Sequence, residues 1–336
     1  MLQGRPLYDT PADAKYYVAP PEWDAVLRAL ERGNNILLCG ERGTGKTSLL
    51  RQLQLRMRGE GRRVVYVEAT AVAEPLELVV RVRDALKGRP GLAQSAPGAV
   101  SRTLAQVTGE PSPPPGGISR QLYDALVELG EEVQPTIVLL DATAAPQALY
   151  GVFGRMRDTV WQLPHSWLVA VDNDDRATAL KPPADTFFDV EVELKALPSE
   201  RLASILQKRT DELAAKLISR IAADARGNAR AAIRAANNAL VRGSDPSMEL
   251  STRARLLDTA AQIGRPQGML MAELLDLGQA SSSDEVLLHR LGLTRARVTT
   301  LLQQLRDAGL VESGVERSER PGRPRTVYRP ALRARR

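Results

Sequence analysis

Residues 40–47 read Gly40-Glu41-Arg42-Gly43-Thr44-Gly45-Lys46-Thr47. The GxxxxGK[ST] spacing puts glycines where a backbone turns its N–H groups inward, a lysine at the end of the turn and a hydroxyl directly after it. Such a turn cradles polyphosphate oxygens, and a helix opening there adds partial positive charge. Lys46 is expected to reach the outer phosphates and Thr47 to ligate Mg²⁺, with Gly40, Arg42, Gly43, Thr44, Gly45 and Ser48 completing the cradle. The flanks fit. Ile36-Leu37-Leu38-Cys39 is an unbroken apolar run, as a strand buried on both faces reads, and a helix is predicted from Thr47 to Met57.

A second carboxylate follows from the same logic. Asp141 ends the apolar run Ile137–Leu140, and an acid at the tip of a buried strand beside the cradle can hold Mg²⁺ through water. The next strand, Trp167–Asp172, ends beside Asn173; a polar residue there can orient an attacking water, and Asn173 is preferred to Asp172. The sequence has no guanine-reading NKxD motif, so ATP is the expected nucleotide. Strands at 35–39, 63–67, 136–141, 167–172 and 187–193 alternate with helices at 21–33, 75–86, 119–130 and 144–162. That alternation predicts an α/β fold with a parallel sheet and helices on both sides. Residues 1–20 read as an extended arm, and the Gly/Pro/Ser-rich stretch 88–117 as a surface insertion.

This layout resembles the AAA+ ATPases, most closely their initiator branch of archaeal and eukaryotic origin-recognition proteins. The resemblance covers residues 16–242 and the domain order beyond. It implies a P-loop three-layer αβα core over 21–197, an α-helical lid over 198–245 and a winged helix-turn-helix domain over 246–336. Gly227-Asn228-Ala229-Arg230-Ala231-Ala232-Ile233 is similar to the family's lid motif. It makes Arg230 the arginine that meets the γ-phosphate, with Arg234 one turn on as the alternative. The resemblance also places Tyr17 and Val18 at the adenine. Two departures stand out. The acid that usually follows the Walker B aspartate is Ala142 here, and only Lys181 or the more distant Arg176 is available as an arginine finger. Losing a water-orienting group costs a factor of about 10² or more in rate, so slow hydrolysis is expected; Glu68 is an acid that could substitute.

The charge is lopsided. The chain carries a net +6, yet residues 294–336 hold 11 Arg against 4 acids, a net of +7, leaving −1 for the rest. A basic end points to a polyanion partner. Within it, a short helix at 282–290, a turn at Leu291-Gly292-Leu293 and a helix from Arg295 to Ala308 read as helix-turn-helix, with strands at 310–312 and 326–328 framing a wing. Arg295, Arg297, Thr299, Thr300 and Gln303 are expected to face a major groove, while Arg317, Arg320, Arg323 and Arg325 are expected to grip phosphates or a minor groove. Double-stranded DNA is therefore the expected partner, with nucleotide-dependent self-assembly and protein partners beside it. Winged helices also dock proteins, so a STAND-type signalling ATPase and an ATP-gated transcription regulator stay open. One cysteine and two histidines argue against disulfide and zinc chemistry. The absence of a 20-residue apolar run or signal pattern predicts a cytoplasmic protein without membrane contact.

Overall fold

The computed structural model describes residues 5–69, 72, 74–88, 120–130, 134–142, 145–243, 245–316 and 325–331. Its elements are α1 (Pro11–Ala14), α2 (Trp23–Glu31), β1 (Ile36–Gly40), α3 (Lys46–Gly59), β2 (Val64–Glu68), α4 (Pro75–Leu86), α5 (Arg120–Gly130), β3 (Thr136–Asp141), α6 (Pro146–Leu149), a π-helix (Tyr150–Arg155), α7 (Arg157–Val160), β4 (His165–Asp172), α8 (Asn173–Ala179) and β5 (Val190–Leu194). Then come α9 (Ser199–Arg209), α10 (Ala215–Asp224), α11 (Ala229–Arg242), α12 (Pro246–Ile263), α13 (Arg265–Leu277), α14 (Glu285–Leu291), α15 (Arg295–Asp307), β6 (Val311–Glu316) and β7 (Arg325–Pro330).

The first five strands form one parallel sheet in the order β2-β3-β4-β1-β5. Its central strands carry unbroken apolar middles, Ile36–Cys39, Ile137–Leu140 and Trp167–Val171, because they are covered on both faces. The side chains alternate between two cores. Leu37, Cys39, Val138, Leu140, Trp167, Val169 and Val171 enter one; Ile36, Leu38, Ile137, Leu139, Leu168 and Ala170 enter the other. Register brings the strand tips together: Gly40 lies opposite Asp172, and Asp141 opposite both Glu68 and Ala170.

Three expectations are corrected here. The predicted helix over 144–162 is broken into α6, the π-helix and α7. Any side chain at Gly151 would collide with the Pro75 ring, and one at Gly154 with the Tyr150 ring, so the chain widens its turn at these glycines. The predicted fifth strand starts late, because Ala184–Phe187 is a 3₁₀ turn that sinks Phe187 into the core. The N-terminal arm is not extended: it contains α1, buries Leu7 and lies on α3 through Gln52 Nε2 to the Tyr8 carbonyl (2.7 Å) and Arg58 to Asp9 (3.0 Å). The insertion read at 88–117 falls, past Gly88, outside the described residues.

The chain divides into two compact units, Leu2–Ala222 with Arg226–Ile233, and mainly Arg234–Arg336 with Ala223–Ala225. The division falls inside α11. In the second unit, Leu256, Leu270, Leu274, Leu287, Val298, Leu301, Leu302, Leu305 and Tyr328 form one core, which confirms the predicted apolar stripe of α15. Thr294 caps that helix by accepting from the Arg297 N–H. β6 and β7 pair antiparallel, and Ala280 bridges to Tyr328, so the wing is a small sheet beside α15. Among the described residues no helix is long and apolar enough to cross a membrane.

Candidate nucleotide-binding site

Gly43 and Gly45 adopt φ of +87° and +105°, a left-handed backbone open to glycine at no steric cost. They turn the chain from β1 into α3. At the end of the turn Lys46 is buried, and its Nζ donates to the carbonyls of Gly40 (2.7 Å) and Glu41 (2.9 Å). It also pairs with Asp172 Oδ1 at 2.8 Å, while Arg42 Nε bonds Asp172 Oδ2 at 2.9 Å. Asp172 thus stands as counter-ion to both P-loop cations. The register of Gly40 against Asp172 puts it there.

Thr47 Oγ1 donates to Asp141 Oδ2 at 2.7 Å, and the Tyr66 hydroxyl donates to the same oxygen at 3.0 Å. Asp141 Oδ1 is buried with no hydrogen-bond partner among the described residues. Burial is the largest influence on this carboxyl and raises its pKa; the Thr47 and Tyr66 bonds and nearby Lys46 oppose that. An orphaned buried carboxylate oxygen next to the P-loop hydroxyl is what a bound Mg²⁺ needs. The described residues hold no cluster of three or more His, Cys, Asp or Glu suited to a metal, so the remaining ligands would come from the nucleotide and water. The guanidinium of Arg51 lies 3.5 Å over the Tyr66 ring.

The other expected residues are placed as follows. Ser48 Oγ accepts from the Leu7 N–H at 3.2 Å, so its hydroxyl serves the N-terminal arm. Thr44 Oγ1 is turned to the Glu41 carbonyl at 2.8 Å. Asn173 Nδ2 points at Glu193 Oε1, 3.4 Å away; its neighbour Asp172, the residue passed over, is the one that grips Lys46. Tyr17 packs against Trp23 with the rings tilted (centroids 5.5 Å apart), its hydroxyl is buried without a described partner, and burial raises its pKa. The Tyr17–Ala19 backbone is tied to α9, with the Tyr17 carbonyl accepting from Lys208 Nζ at 2.9 Å and that of Ala19 accepting from Arg201; Val18, between them, is half-buried. Arg230 is exposed, and its backbone N–H meets the Gly43 carbonyl at 3.4 Å. Arg234, the alternative, belongs to the second unit and donates there to the Leu275 carbonyl. Arg176 pairs with Glu191, and the Lys181 ammonium lies 5.4 Å over the Tyr150 ring. Ala142 is fully buried in the core.

In the C-terminal unit Arg295, Arg297 and Thr300 are exposed and Thr299 is half-buried, both threonine hydroxyls donating back to the helix carbonyls of Arg295 and Ala296. Arg325 is paired with Glu316 at 3.1 Å across the wing strands. Arg317, Arg320 and Arg323 lie outside the described residues.

Sequence reasoning missed Asp172 as the lysine's partner, Tyr66 and Asn228. Tyr66 was legible only as a strand residue. Asn228 stood within the lid motif without an assigned task.

The strand order, the P-loop leaving the inner strand β1 and the acid on β3 define the AAA+ P-loop ATPase fold, followed by helical and winged-helix elements. Many solved structures match this chain, two of them as follows. The ORC1 protein of Aeropyrum pernix, determined in complex with DNA, superposes with a TM-score of 0.51 at 19% identity, covering 94% of this chain and 90% of that one. A Walker-type ATPase of Pyrococcus abyssi gives 0.50 at 15% identity, covering 98% and 97%. At such identities the likeness is one of fold. Residues 26–88 match the model of a family described as a protein of unknown function, DUF815. No curated protein matches.

Proposed function

We propose that this chain is an ATP-binding switch of initiator-like layout that holds double-stranded DNA through its winged helix and hydrolyses ATP slowly. The observation that carries the reading is the pairing of a glycine-turned P-loop, with Lys46 at its centre, to the Thr47–Asp141 contact with its orphaned oxygen. Lys46 would neutralise the outer phosphates. Thr47 and Asp141 would hold Mg²⁺, which supplies charge neutralisation at the phosphate oxygens. Slow turnover is supported by the residues around the site. Ala142 offers no acid and is buried in the apolar core, while Arg176 and Lys181 are engaged within their own chain. Arg230, at the start of α11, is the candidate γ-phosphate contact. Tyr17 and Val18 are the candidate adenine contacts.

DNA binding is supported by the exposed Arg295 and Arg297 at the start of α15 and by the net charge of the C-terminal end. The A. pernix protein, of the same fold, was determined with DNA. The test is duplex binding at a series of salt concentrations, with and without MgATP. The reading expects log affinity to fall linearly with log salt, by about 0.9 per phosphate contact. It also expects Arg295→Ala with Arg297→Ala to flatten that slope by roughly two contacts. Absence of duplex binding, with MgATP-dependent oligomers in its place, would overturn the DNA reading and favour the winged helix as a protein-docking module.

A further inference from the structure

We propose that Asn228 is a positioning residue that sets the P-loop backbone for nucleotide and ties it to the first turn of α11. The proposal rests on the nucleotide reading above. The amide of Asn228 is used at both ends: Nδ2 donates to the Arg42 carbonyl at 2.9 Å, and Oδ1 accepts from the Ala231 N–H at 3.0 Å. The second bond caps α11. The first reaches back to a loop 186 residues away in sequence. Beside it the Arg230 N–H meets the Gly43 carbonyl, so two consecutive P-loop carbonyls are held by one helix start.

The chemical consequence follows from the planarity of the peptide. In a trans peptide the carbonyl and the next N–H point in opposite directions. Fixing the Arg42 carbonyl toward Asn228 therefore fixes the Gly43 N–H away from it, which is the orientation a phosphate oxygen on the far side of the loop requires. The fit is close and specific. A Cβ on Gly43 would lie 2.9 Å from Asn228 Cγ, so glycine at 43 admits this side chain as well as the left-handed turn. On its other side Asn228 is braced by Gly227, whose φ is +84°, whose missing Cβ leaves room for the Ala196 backbone, and whose carbonyl accepts from the Leu197 N–H at 3.0 Å. The turn is thus wedged between the end of the core and the P-loop apex.

Two tasks on one amide can be separated by substitution. Asn228→Asp keeps an acceptor for the Ala231 N–H but has no donor for the Arg42 carbonyl; Asn228→Ala removes both. The full-length protein and both variants are compared in thermal melts, MgATP titration and hydrogen exchange without nucleotide. Asn228→Asp should melt with wild type and keep Ala231 protected. It should exchange the 41–45 amides faster and bind MgATP about tenfold more weakly, the loss of one hydrogen bond that orients a ligand donor. Asn228→Ala should lose that affinity and helix protection together. Wild-type MgATP affinity and unchanged 41–45 exchange in Asn228→Asp overturn the proposal while leaving the nucleotide reading intact. A wild-type protein that binds no MgATP overturns both.

Discussion

Replacing Asp172 by asparagine should weaken the nucleotide-free protein and strengthen its grip on ATP. Asp172 is the carboxylate that Lys46 and Arg42 share, and the side chains of Lys46 and Asp172 are only 4% and 8% exposed. Removing one partner of a buried ion pair costs about 3–5 kcal/mol, most of it the burden of the charge left behind. Here the lower end applies, because Lys46 keeps its bonds to the Gly40 and Glu41 carbonyls and Arg42 is 30% exposed. A loss of about 3 kcal/mol lowers the melting temperature of a unit this size by roughly 6–12 °C. A triphosphate brings its own negative charge to Lys46, so the bound state does not suffer the same loss. In wild type the phosphates must displace Asp172; in Asp172→Asn they meet a lysine without a counter-ion. Affinity should then rise, with about a hundredfold as the ceiling set by the same 3 kcal/mol. Calorimetric titration with a non-hydrolysable ATP analogue, beside melts with and without it, reads both effects. A variant that melts lower and binds the analogue no better, or worse, would refute the reasoning, because Asp172 would then be contributing to the bound state rather than competing with it.

Two further outcomes follow. Asp141 has its pKa raised above the ordinary 3.8 by burial, so the folded protein keeps a proton that the unfolded chain has released. Without metal its contribution to stability is lost as pH rises from the ordinary carboxylate range through the raised value. Because Mg²⁺ requires the ionised form, the magnesium-dependent part of nucleotide affinity should climb over that same range and level off; Asp141→Asn should abolish the slope, and a pH-independent magnesium effect in wild type would count against Asp141 as the ion's ligand. Cys39 is buried in β1, and burial beside Glu191 pushes its thiol up to about 12; it should resist alkylation at pH 8 until the protein is unfolded, and rapid labelling of native protein would contradict the buried strand.

Most of the core was legible because its elements carry strong one-dimensional signals. A short unbroken apolar run such as Ile36–Cys39, followed at once by glycines, reads as a strand covered on both faces, and glycines 43 and 45 announce the turn that their positive φ values realise. The boundaries that failed did so where tertiary packing overrides local pattern. Gly151 and Gly154 sit in an apolar, helix-like stretch, and only the Pro75 and Tyr150 rings make their absent side chains decisive. Asn173 and Asp172 are adjacent and equally polar. What separates them is the pairing of Gly40 with Asp172, and sheet register is a relation between distant segments that periodicity within either one cannot supply. Asn228 was hidden for the same reason, since its partner is a main-chain carbonyl and carries no residue type to be read. The folding of the N-terminal arm onto α3 was equally invisible, because Tyr8 and Asp9 become binding groups only when Gln52 and Arg58 are brought beside them.

These contacts together give the site a particular energetics under the proposed function. Apart from the unpartnered Oδ1 of Asp141, the side chains that would hold a magnesium nucleotide are already engaged in the chain: Lys46 by Asp172 and two carbonyls, and Thr47 by the other oxygen of Asp141, while the loop's Arg42 and Gly43 carbonyls are held by the start of α11. Binding is then an exchange of partners rather than the filling of a vacant cleft, and its free energy is a difference between two well-satisfied states. Such a site discriminates sharply by charge, because a ligand with fewer phosphates displaces Asp172 with less return. It also concentrates the response, since the exchange at Lys46 and the orientation of the Gly43 amide occur within one short loop whose carbonyls are tied to α11. Ala142, buried in the core, supplies no acid at the position after Asp141, so under that function the return to the free state would be slow. Release of nucleotide, and the re-formation of the Lys46–Asp172 pair, would set how long the switched state lasts.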